Sequence, residues 1–226
     1  SAVGKELFRP GRIRQVIAAA GAPHGRPLAQ TEMVEVTWTL DAGEEDLEVL
    51  SRYGRVALRH VRLLRLVDES ADQGGEPTQE DLGKALGVDA RTIRSDIAVL
   101  SAEGFLVATR GMLRGIGRGQ THKVMIVELY LQRYTYTEIM RRTHHSAAAI
   151  KRYLQTFGRV VLLASKELAP TEMAYVVGIS ERLVQEYLHL YHRYNLPEHQ
   201  GRLADLAQMA GRSGSGTVLG SKRGAR

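Results

Sequence analysis

Cysteine is absent from the 226-residue chain, which excludes disulfide bonds, zinc sites built on thiolates and a cysteine nucleophile. Aromatic residues make up only 6%, with one Trp and three Phe, so the core must rely on Leu, Val, Ile and Ala. No apolar run reaches the ~18 residues of a transmembrane helix, and the first residues lack the apolar core of a secretory signal. We therefore expect a cytoplasmic protein with no membrane partner.

Positive charge is concentrated in the middle of the chain. The formal net charge is +6, from 31 Lys and Arg against 25 Asp and Glu. Between residues 110 and 160, ten basic residues are opposed only by Glu128 and Glu138, so this stretch carries +8 and the remainder −2. Such a basic middle is typical of a surface that faces a polyanion. A solvated basic face without a partner explains the charge equally well.

The N-terminal residues predict a little local structure before the main helices begin. Residues 12–20 predict a short helix with Gly21 as its C-cap, and residues 22–30, with two Pro and one Gly, predict a loop. Over residues 34–40 apolar and polar side chains alternate, which predicts a strand with one buried face.

A long helical region is expected after this strand. Asp41 and Glu44 are spaced as in a capping box, and apolar residues repeat at helical spacing over 44–70, with Gly54 as a point where the helix breaks or bends. The remaining predictions are a turn at 72–77, a helix-rich region to about Asn195 that is interrupted near 104–121 and stopped by Pro197, a short helix over 203–209, and a flexible basic tail beyond Gly211.

One residue pattern occurs three times in the helical region. The copies align without gaps, at offsets of 57 and then 34 residues. They read TQEDLGKALGVDARTIRSDIAVL from Thr78, TYTEIMRRTHHSAAAIKRYLQTF from Thr135 and APTEMAYVVGISERLVQEYLHLY from Ala169. The inward positions that recur are Leu82, Ile139 and Met173; Val88, His145 and Ile179; Ile93, Ile150 and Val184; and Ile97, Leu154 and Leu188.

The spacing within each copy has a physical reason. A glycine such as Gly87 or Gly178 permits a sharp turn with positive φ after the first helix, and an apolar residue fills the corner. Asp89, Ser146 or Ser180 then caps a second helix, whose residues at i and i+4 pack back on the first. This pattern predicts a helix-turn-helix, in which the second helix can enter the major groove of DNA. A plain bundle of helical hairpins is the alternative.

The second copy departs from the pattern at its turn. His144 stands in the glycine position and His145 in the corner position, so we expect a less regular turn there. After the first copy, residues 105–109 and 112–116 predict two strands joined at Arg110 and Gly111, a hairpin in the position of a wing. The glycine-rich segment 115–121 is either the exit of this wing or a flexible linker.

These motifs resemble known DNA-binding families. The first copy, with its TIRSDI run and following hairpin, is similar to the winged helix-turn-helix of bacterial DeoR-type repressors. The second, YTYTEIMRRTHHSAAAIKRYL, is similar to sigma-factor region four and to LuxR-type regulators. From EEDLEVLSRYGRVALRHVRLLRLVDE to ISERLVQEYLHLYHRYN, over roughly residues 31–198, the chain resembles an uncharacterised family of bacterial helix-turn-helix proteins. The resemblance implies DNA binding. An effector-binding domain of the usual repressor kind is not visible.

The outward positions of the three copies are the candidate DNA contacts. Arginine can hydrogen-bond both acceptors of a guanine edge, and Thr or Ser can reach a base or a phosphate. The candidates are Arg91, Thr92, Arg94 and Ser95 in the first copy; Ser146, Lys151 and Arg152, with Arg141 and Arg142 on the supporting helix, in the second; Arg182 and Gln185 in the third; and Arg110, Arg114, Arg118 and Lys123 around the wing.

The third copy is a weaker candidate because its second helix carries less positive charge. It is expected either to pack internally or to form a dimer surface; the residues for such a surface are Tyr187, Leu190, Tyr191 and Tyr194.

Catalytic and metal-binding motifs are not supported by the sequence. His189 and His192 are spaced i, i+3 with His199 nearby, but no carboxylate or cysteine stands at ligand spacing beside them. The chain has no HExxH or GxSxG arrangement and no nucleotide-binding glycine loop. We therefore expect no enzymatic activity, no cofactor and no bound metal.

The sequence as a whole predicts a mainly α protein made of tandem helix-turn-helix units, the first of them winged, with a short N-terminal strand. The expected divisions are an N-terminal segment 1–43, a winged domain 44–121, a tandem pair 122–198, and a short helix with a basic tail 199–226. We expect a sequence-specific double-stranded DNA-binding protein, a bacterial transcriptional regulator, working as a homodimer by the pairing logic of half-sites. The alternatives are an accessory factor of a mobile element or segregation system, and a helical protein-interaction adaptor.

Overall fold

The computed structural model describes residues 10–23, 30–110 and 120–214, with side chains as far as residue 211. It is mainly helical with one small antiparallel sheet near the N-terminus, which confirms the predicted fold class. The described elements are β1 (Arg12–Ala19), β2 (Met33–Thr39), α1 (Glu44–Asp72), β3 (Gly75–Glu76), α2 (Gln79–Leu86), α3 (Ala90–Ala102), α4 (His122–Leu131), α5 (Tyr136–Thr143), α6 (Ala147–Ala164), α7 (Pro170–Val177), α8 (Glu181–Tyr194), a 3-10 turn (Pro197–His199) and α9 (Gln200–Gly214). Within these ranges no helix is both long and apolar enough to cross a membrane.

The prediction of a helix over residues 12–20 is wrong, because these residues form β1. This strand pairs antiparallel with β2, with Ile17 opposite Val34, and its other edge pairs with β3. A short apolar window fits both the helical and the strand period. The β-branched Ile13, Val16 and Ile17 favour the strand once β2, which was predicted correctly, offers an unpaired edge.

The long helix α1 joins the sheet to the other helices. Its N-cap is Gly43, and Asp41 accepts a hydrogen bond from the Gly43 N–H (2.8 Å), so the predicted capping box is wrong. The predicted break is confirmed, since Gly54 has φ 83° and ψ −177° inside the helix. Beyond the break, Trp38 Nε1 donates to the buried Ser70 Oγ (2.8 Å), which fixes α1 against the sheet.

Two large apolar cores hold the fold together. The first lies between the sheet, α1, α2 and α3, where Trp38 and Ile93 are fully buried. The second lies among α4–α9, where Tyr187 is fully buried. In this second core α6 and α9 cross so closely that a Cβ atom on Gly158 would clash with the Leu206 carbonyl. Glycine is therefore required at that crossing.

The C-terminal helix and the wing differ in part from expectation. The short helix predicted over 203–209 is the longer α9, and the basic tail after it lies outside the described residues. Phe105 makes a single parallel bridge to Gln120, and no longer ladder forms over residues 105–109, so the predicted first strand of the wing is wrong. Alternate side chains in this segment are nevertheless buried on the first core. The predicted returning strand, 112–116, lies outside the described residues.

Candidate nucleic-acid interface

The three sequence copies fold as three similar helix pairs: α2–α3 is the first pair, α5–α6 the second and α7–α8 the third. Each turn contains one residue in the left-handed conformation, Gly87 (φ 69°), His144 (φ 55°) and Gly178 (φ 75°). The expectation of a less regular turn in the second copy is therefore wrong. The His144 ring packs against Tyr53 of α1 with centroids 5.0 Å apart, a tertiary contact that accompanies this conformation.

Helix α3 is held on α1 by a buried acid. Asp96 receives hydrogen bonds from Arg59 Nε (2.6 Å) and Nη2 (2.9 Å), and His60 Nε2 lies 3.1 Å from the same carboxylate. Burial acts to raise the pKa of Asp96, but the hydrogen bonds from Arg59 and His60 outweigh it and lower that pKa below its ordinary value. The ionised carboxylate therefore fixes which face of α3 points outward.

The outward face of α3 carries the residues that the sequence singled out in the first copy. Arg91, Arg94 and Ser95 are exposed, and Thr92 is half-buried next to the N-cap Asp89, which accepts a hydrogen bond from the Thr92 N–H (2.6 Å). Arg94 Nε makes one long contact, 3.3 Å, to the side chain of Gln79. No carboxylate lies within ion-pair distance of either arginine in the described part of the chain. These side chains are free to meet a ligand.

In the second pair, α1 partly covers the corresponding helix. Lys151 is exposed, but both Nη atoms of Arg152 bond the Glu45 carboxylate, with Nη2 3.0 Å from Oε2. Ser146 is buried, and its hydroxyl caps α6 by accepting a hydrogen bond from the Ala149 N–H (3.1 Å). Residues 44–53 of α1 thus lie against the start of α6.

The supporting helix of the second pair keeps its two arginines at the surface. Arg141 and Arg142 are both exposed, and the Arg142 guanidinium lies 4.3 Å from the centroid of the Tyr134 ring. Neither has an ion-pair partner among the described residues. With Lys151 they leave three unpaired cations on this pair.

The third pair is tied to α1 instead of presenting free cations. Arg182 bonds Asp72 of α1 (2.8 Å) and Glu186 (2.6 Å), and the Ser180 hydroxyl donates to Asp72 (2.6 Å). Gln185 is exposed and donates weakly to Glu181 (3.3 Å).

The third pair also packs inward through its apolar side chains. Tyr187 and Leu190 are both fully buried, so the dimer surface predicted through them is wrong and the alternative of internal packing is confirmed. Tyr191 and Tyr194 are half-buried against the second core.

A buried network completes the attachment of α4 and α8 to α1. Asp68, 4% exposed, lies 3.0 Å from His122 Nδ1, 3.7 Å from Lys123 Nζ and 4.0 Å from Arg182 Nη2. Burial acts to raise the pKa of Asp68, but His122 and Lys123 outweigh it and hold that pKa far below its ordinary value. Lys123 is therefore paired with acids of α1, although the sequence placed it with the candidate DNA contacts. We call this set the anchoring network.

The remaining candidates lie near the predicted wing. Arg110 is half-buried; its Nη2 donates to the Pro23 carbonyl (3.0 Å) and its backbone N–H to the Pro77 carbonyl (2.9 Å). Its guanidinium thus links chain segments within the protein. Arg114 and Arg118 lie outside the described residues.

Three aromatic rings meet beneath the second pair. His122 and His145 stack with centroids 5.0 Å apart, and Tyr153 meets both edge-on. Burial lowers the pKa of His145 well below its ordinary value, so its ring is neutral, and its Nδ1 lies 2.7 Å from the Thr143 carbonyl. In the described ranges no three His, Asp or Glu side chains are grouped to hold a metal ion.

Sequence reasoning missed the acids that decide which cations are free. Asp96 stands between Ile93 and Ile97 on the inward face of α3, and an acid at an apolar-face position was the available signal. Glu45 and Asp68 gave no such signal, because their partners are distant in sequence.

Comparison with known proteins identifies the family of the chain and nothing further. Searches of curated proteins and of solved structures returned no match. A family model does match, over residues 9–190, which covers the sheet, α1 and all three helix pairs. The chain therefore belongs to the family described as a protein of unknown function, DUF1670.

Proposed function

We propose that the protein binds double-stranded DNA and reads its sequence with α3 of the first pair, acting as a transcriptional regulator. The observation that carries the proposal is the pair of exposed, unpaired arginines, Arg91 and Arg94, on a helix held rigidly by Asp96. Arginines on such a helix can meet guanine edges in the major groove. The resemblance of this copy to DeoR-type winged helix-turn-helix units supports the proposal.

The second pair supplies phosphate contacts in this proposal. Arg141, Arg142 and Lys151 are exposed cations with no carboxylate within ion-pair distance in the described part of the chain, and such residues position a protein on the duplex without reading sequence. Ser146 and Arg152 are excluded from the interface in the arrangement described, because the first is a buried cap and the second is bound to Glu45.

The third pair has a structural role in this proposal. Both arginines of its second helix are paired with acids: Arg182 with Asp72 and Glu186, and Arg193 with Glu128 (2.9 Å). Its first helix keeps Tyr175, which is 90% exposed, and no unpaired cation. We therefore assign DNA reading to the first pair and attachment to the third.

Selection of bound duplexes from a random pool tests the proposal directly. An enriched sequence followed by a salt titration is the expected result. About three phosphate contacts give a slope of about −3 in log affinity against log salt, or roughly 40-fold weaker binding between 50 and 200 mM salt. Lys151→Ala should make this slope shallower, and Arg159→Ala, which removes an exposed arginine far from the first turn of α6, is its matched control.

The possible outcomes separate the competing functions. Selection of one sequence located over promoters supports a regulator, whereas sites at element ends or in centromere-like repeats indicate an accessory factor. Failure to shift any duplex at low salt would contradict DNA binding altogether and favour a helical interaction adaptor. A two-fold symmetric selected site would indicate that the protein binds as a dimer.

A further inference from the structure

A polar cleft separates the sheet and α1 from α4, α6 and the third pair. It consists of two cavities, of about 480 and 820 Å³, which share part of their lining. The shared residues are Arg12, Thr39, Glu69, Lys123 and Arg152. Volumes of this size match those of small-molecule sites. None of the DNA contacts proposed above lies in this cleft.

One half of the cleft presents more cations than carboxylates at its surface, while Asp46 and Asp68, behind the lining, pair with Arg65 and Lys123. The 480 Å³ cavity is lined by four cations and two carboxylates: Arg12, Arg65, Lys123 and Arg152, against Glu45 and Glu69. The side chains of Arg65 and Lys123 are only 15% and 16% exposed. Charges held there are less screened than at an open surface, so both the cations and their acid partners act strongly on a bound ligand.

Two of these cations are not fully satisfied by the protein. Arg12 has no carboxylate within ion-pair distance in the described part of the chain, although its strand neighbour Arg14 pairs with Glu35 (3.4 Å). The Lys123 ammonium makes only long contacts, 3.3 Å to Asp72 and 3.7 Å to Asp68. An anion between Arg12 and Lys123 would supply the missing acceptors.

The other half of the cleft offers a different chemistry. Glu69 lines the 820 Å³ cavity as an acceptor, which suits hydroxyl or amino groups, whereas Asp72 there already accepts from Lys123, Ser180 and Arg182. Tyr175 lines the same cavity and is 90% exposed, so its ring face is available for stacking. A ligand that fits both halves carries a phosphate, hydroxyl groups and a flat ring.

We infer that the cleft binds a mononucleotide-type phosphate ester. The phosphate lies between Arg12 and Lys123, a sugar hydroxyl donates to Glu69, and the base stacks on Tyr175. The site is separate from the first pair, so it does not depend on the DNA proposal.

Calorimetric titration with AMP tests this site on the full chain at constant ionic strength. Saturable binding of AMP is expected, with inorganic phosphate weaker and adenosine weaker still. Arg12→Gln should weaken AMP binding about ten-fold, since a hydrogen bond to a charged group is lost. Arg14→Gln is the matched control, because Arg14 is the next outward arginine of β1 and does not line the cleft.

Each outcome of these titrations either supports or overturns the inference. Tyr175→Ala should weaken AMP several-fold and leave inorganic phosphate unchanged, because only the base would stack on Tyr175. The inference is overturned if AMP gives no saturable heat, or if Arg12→Gln and Arg14→Gln behave alike. It is also overturned if Arg12→Gln weakens duplex DNA binding while AMP does not bind, since the cleft would then serve the DNA backbone.

Discussion

The second helices of the first and third pairs have the same local geometry, yet their arginines have different surroundings. Arg91 on α3 and Arg182 on α8 occupy equivalent positions in the sequence pattern. Arg91 is exposed without an acid partner in the described residues, whereas Arg182 is bound to Asp72 and Glu186. The second pair lies between these extremes, with Lys151 exposed and Arg152 bound to Glu45.

The difference shows that a repeated motif does not repeat its role. The inward residues of each pair satisfy the same packing requirement, so the three backbones agree. The partners of the outward residues depend on the element that packs opposite them. Helix α1 packs opposite the second and third pairs, where Glu45 and Asp72 pair with their arginines. Four predictions test this comparison.

Loss of the buried acid behind the third pair should have the largest effect. Asp68→Ala leaves His122 and Lys123 without their shared partner in the interior, and we expect the free energy of unfolding to fall by about 3–5 kcal/mol. Urea denaturation measures it. Asp205→Ala, at an exposed acid of α9, is the control and should change stability by less than about 0.5 kcal/mol. Equal effects would show that the anchoring network contributes little.

Arginine-to-alanine substitutions should distinguish DNA reading by the first pair from the structural role of the third pair. Arg94→Ala should weaken binding to the selected duplex by about 1–3 kcal/mol at one base position, with little change in stability. Arg182→Ala should lower stability and leave the affinity of the folded protein for DNA unchanged. Competition binding and denaturation measure the two quantities. Equal loss by Arg94→Ala on random and selected duplex would refute base reading by that residue.

Acid should weaken the anchoring network as Asp68 becomes protonated. The pKa of Asp68 is lowered in the folded protein, so its contribution is complete above the unfolded pKa, about 3.9, and is lost as the pH falls toward the folded pKa. Protonation of Asp68 should lower the free energy of unfolding by about 1.4 kcal/mol for each pH unit below about pH 4. Denaturation at pH 7, 5, 4 and 3 measures it, and the Asp68→Ala variant should have the shallower slope.

The turn residues should give the smallest difference. Gly87→Ala should lower the free energy of unfolding by about 1 kcal/mol, because a Cβ there meets nothing within 4 Å and only backbone strain remains. His144→Ala replaces one strained residue by another, so about 0.5 kcal/mol is expected, chiefly from the lost contact with Tyr53. Thermal denaturation of the two variants measures the difference. A larger loss at His144 would mean that Tyr53 contributes more than the turn.

Much of the local structure could be predicted from the sequence. The spacing of Leu82, Ile93 and Ile97 sets one helix pair, and its repetition sets the other two. The prediction failed over residues 12–20, where a short apolar window fits two periods and the presence of β2 decided between them. It also failed at Asp41, because a cap depends on the path by which the chain enters the helix.

The candidate site was predictable only in its first part. Arg91, Arg94 and Ser95 of α3 are exposed as expected, because the burial of Ile93 and Ile97 helps to fix the orientation of that helix. Lys123, Arg152 and Arg182 were indistinguishable from free cations in the sequence. Each is paired with an acid at least 51 residues away along the chain, and a local sequence pattern cannot predict a pair so far apart.

The amino-acid order by itself determined most of the helices, the turns at Gly87 and Gly178 and the excess of basic charge, since these depend on residues a few positions apart. Only the tertiary structure decided which charges remain available, because the pairing of Arg182 with Asp72 requires α8 to pack on α1. The conformation of these helices and turns is set mainly by neighbours in sequence, whereas the screening of a charge is set by neighbours in space.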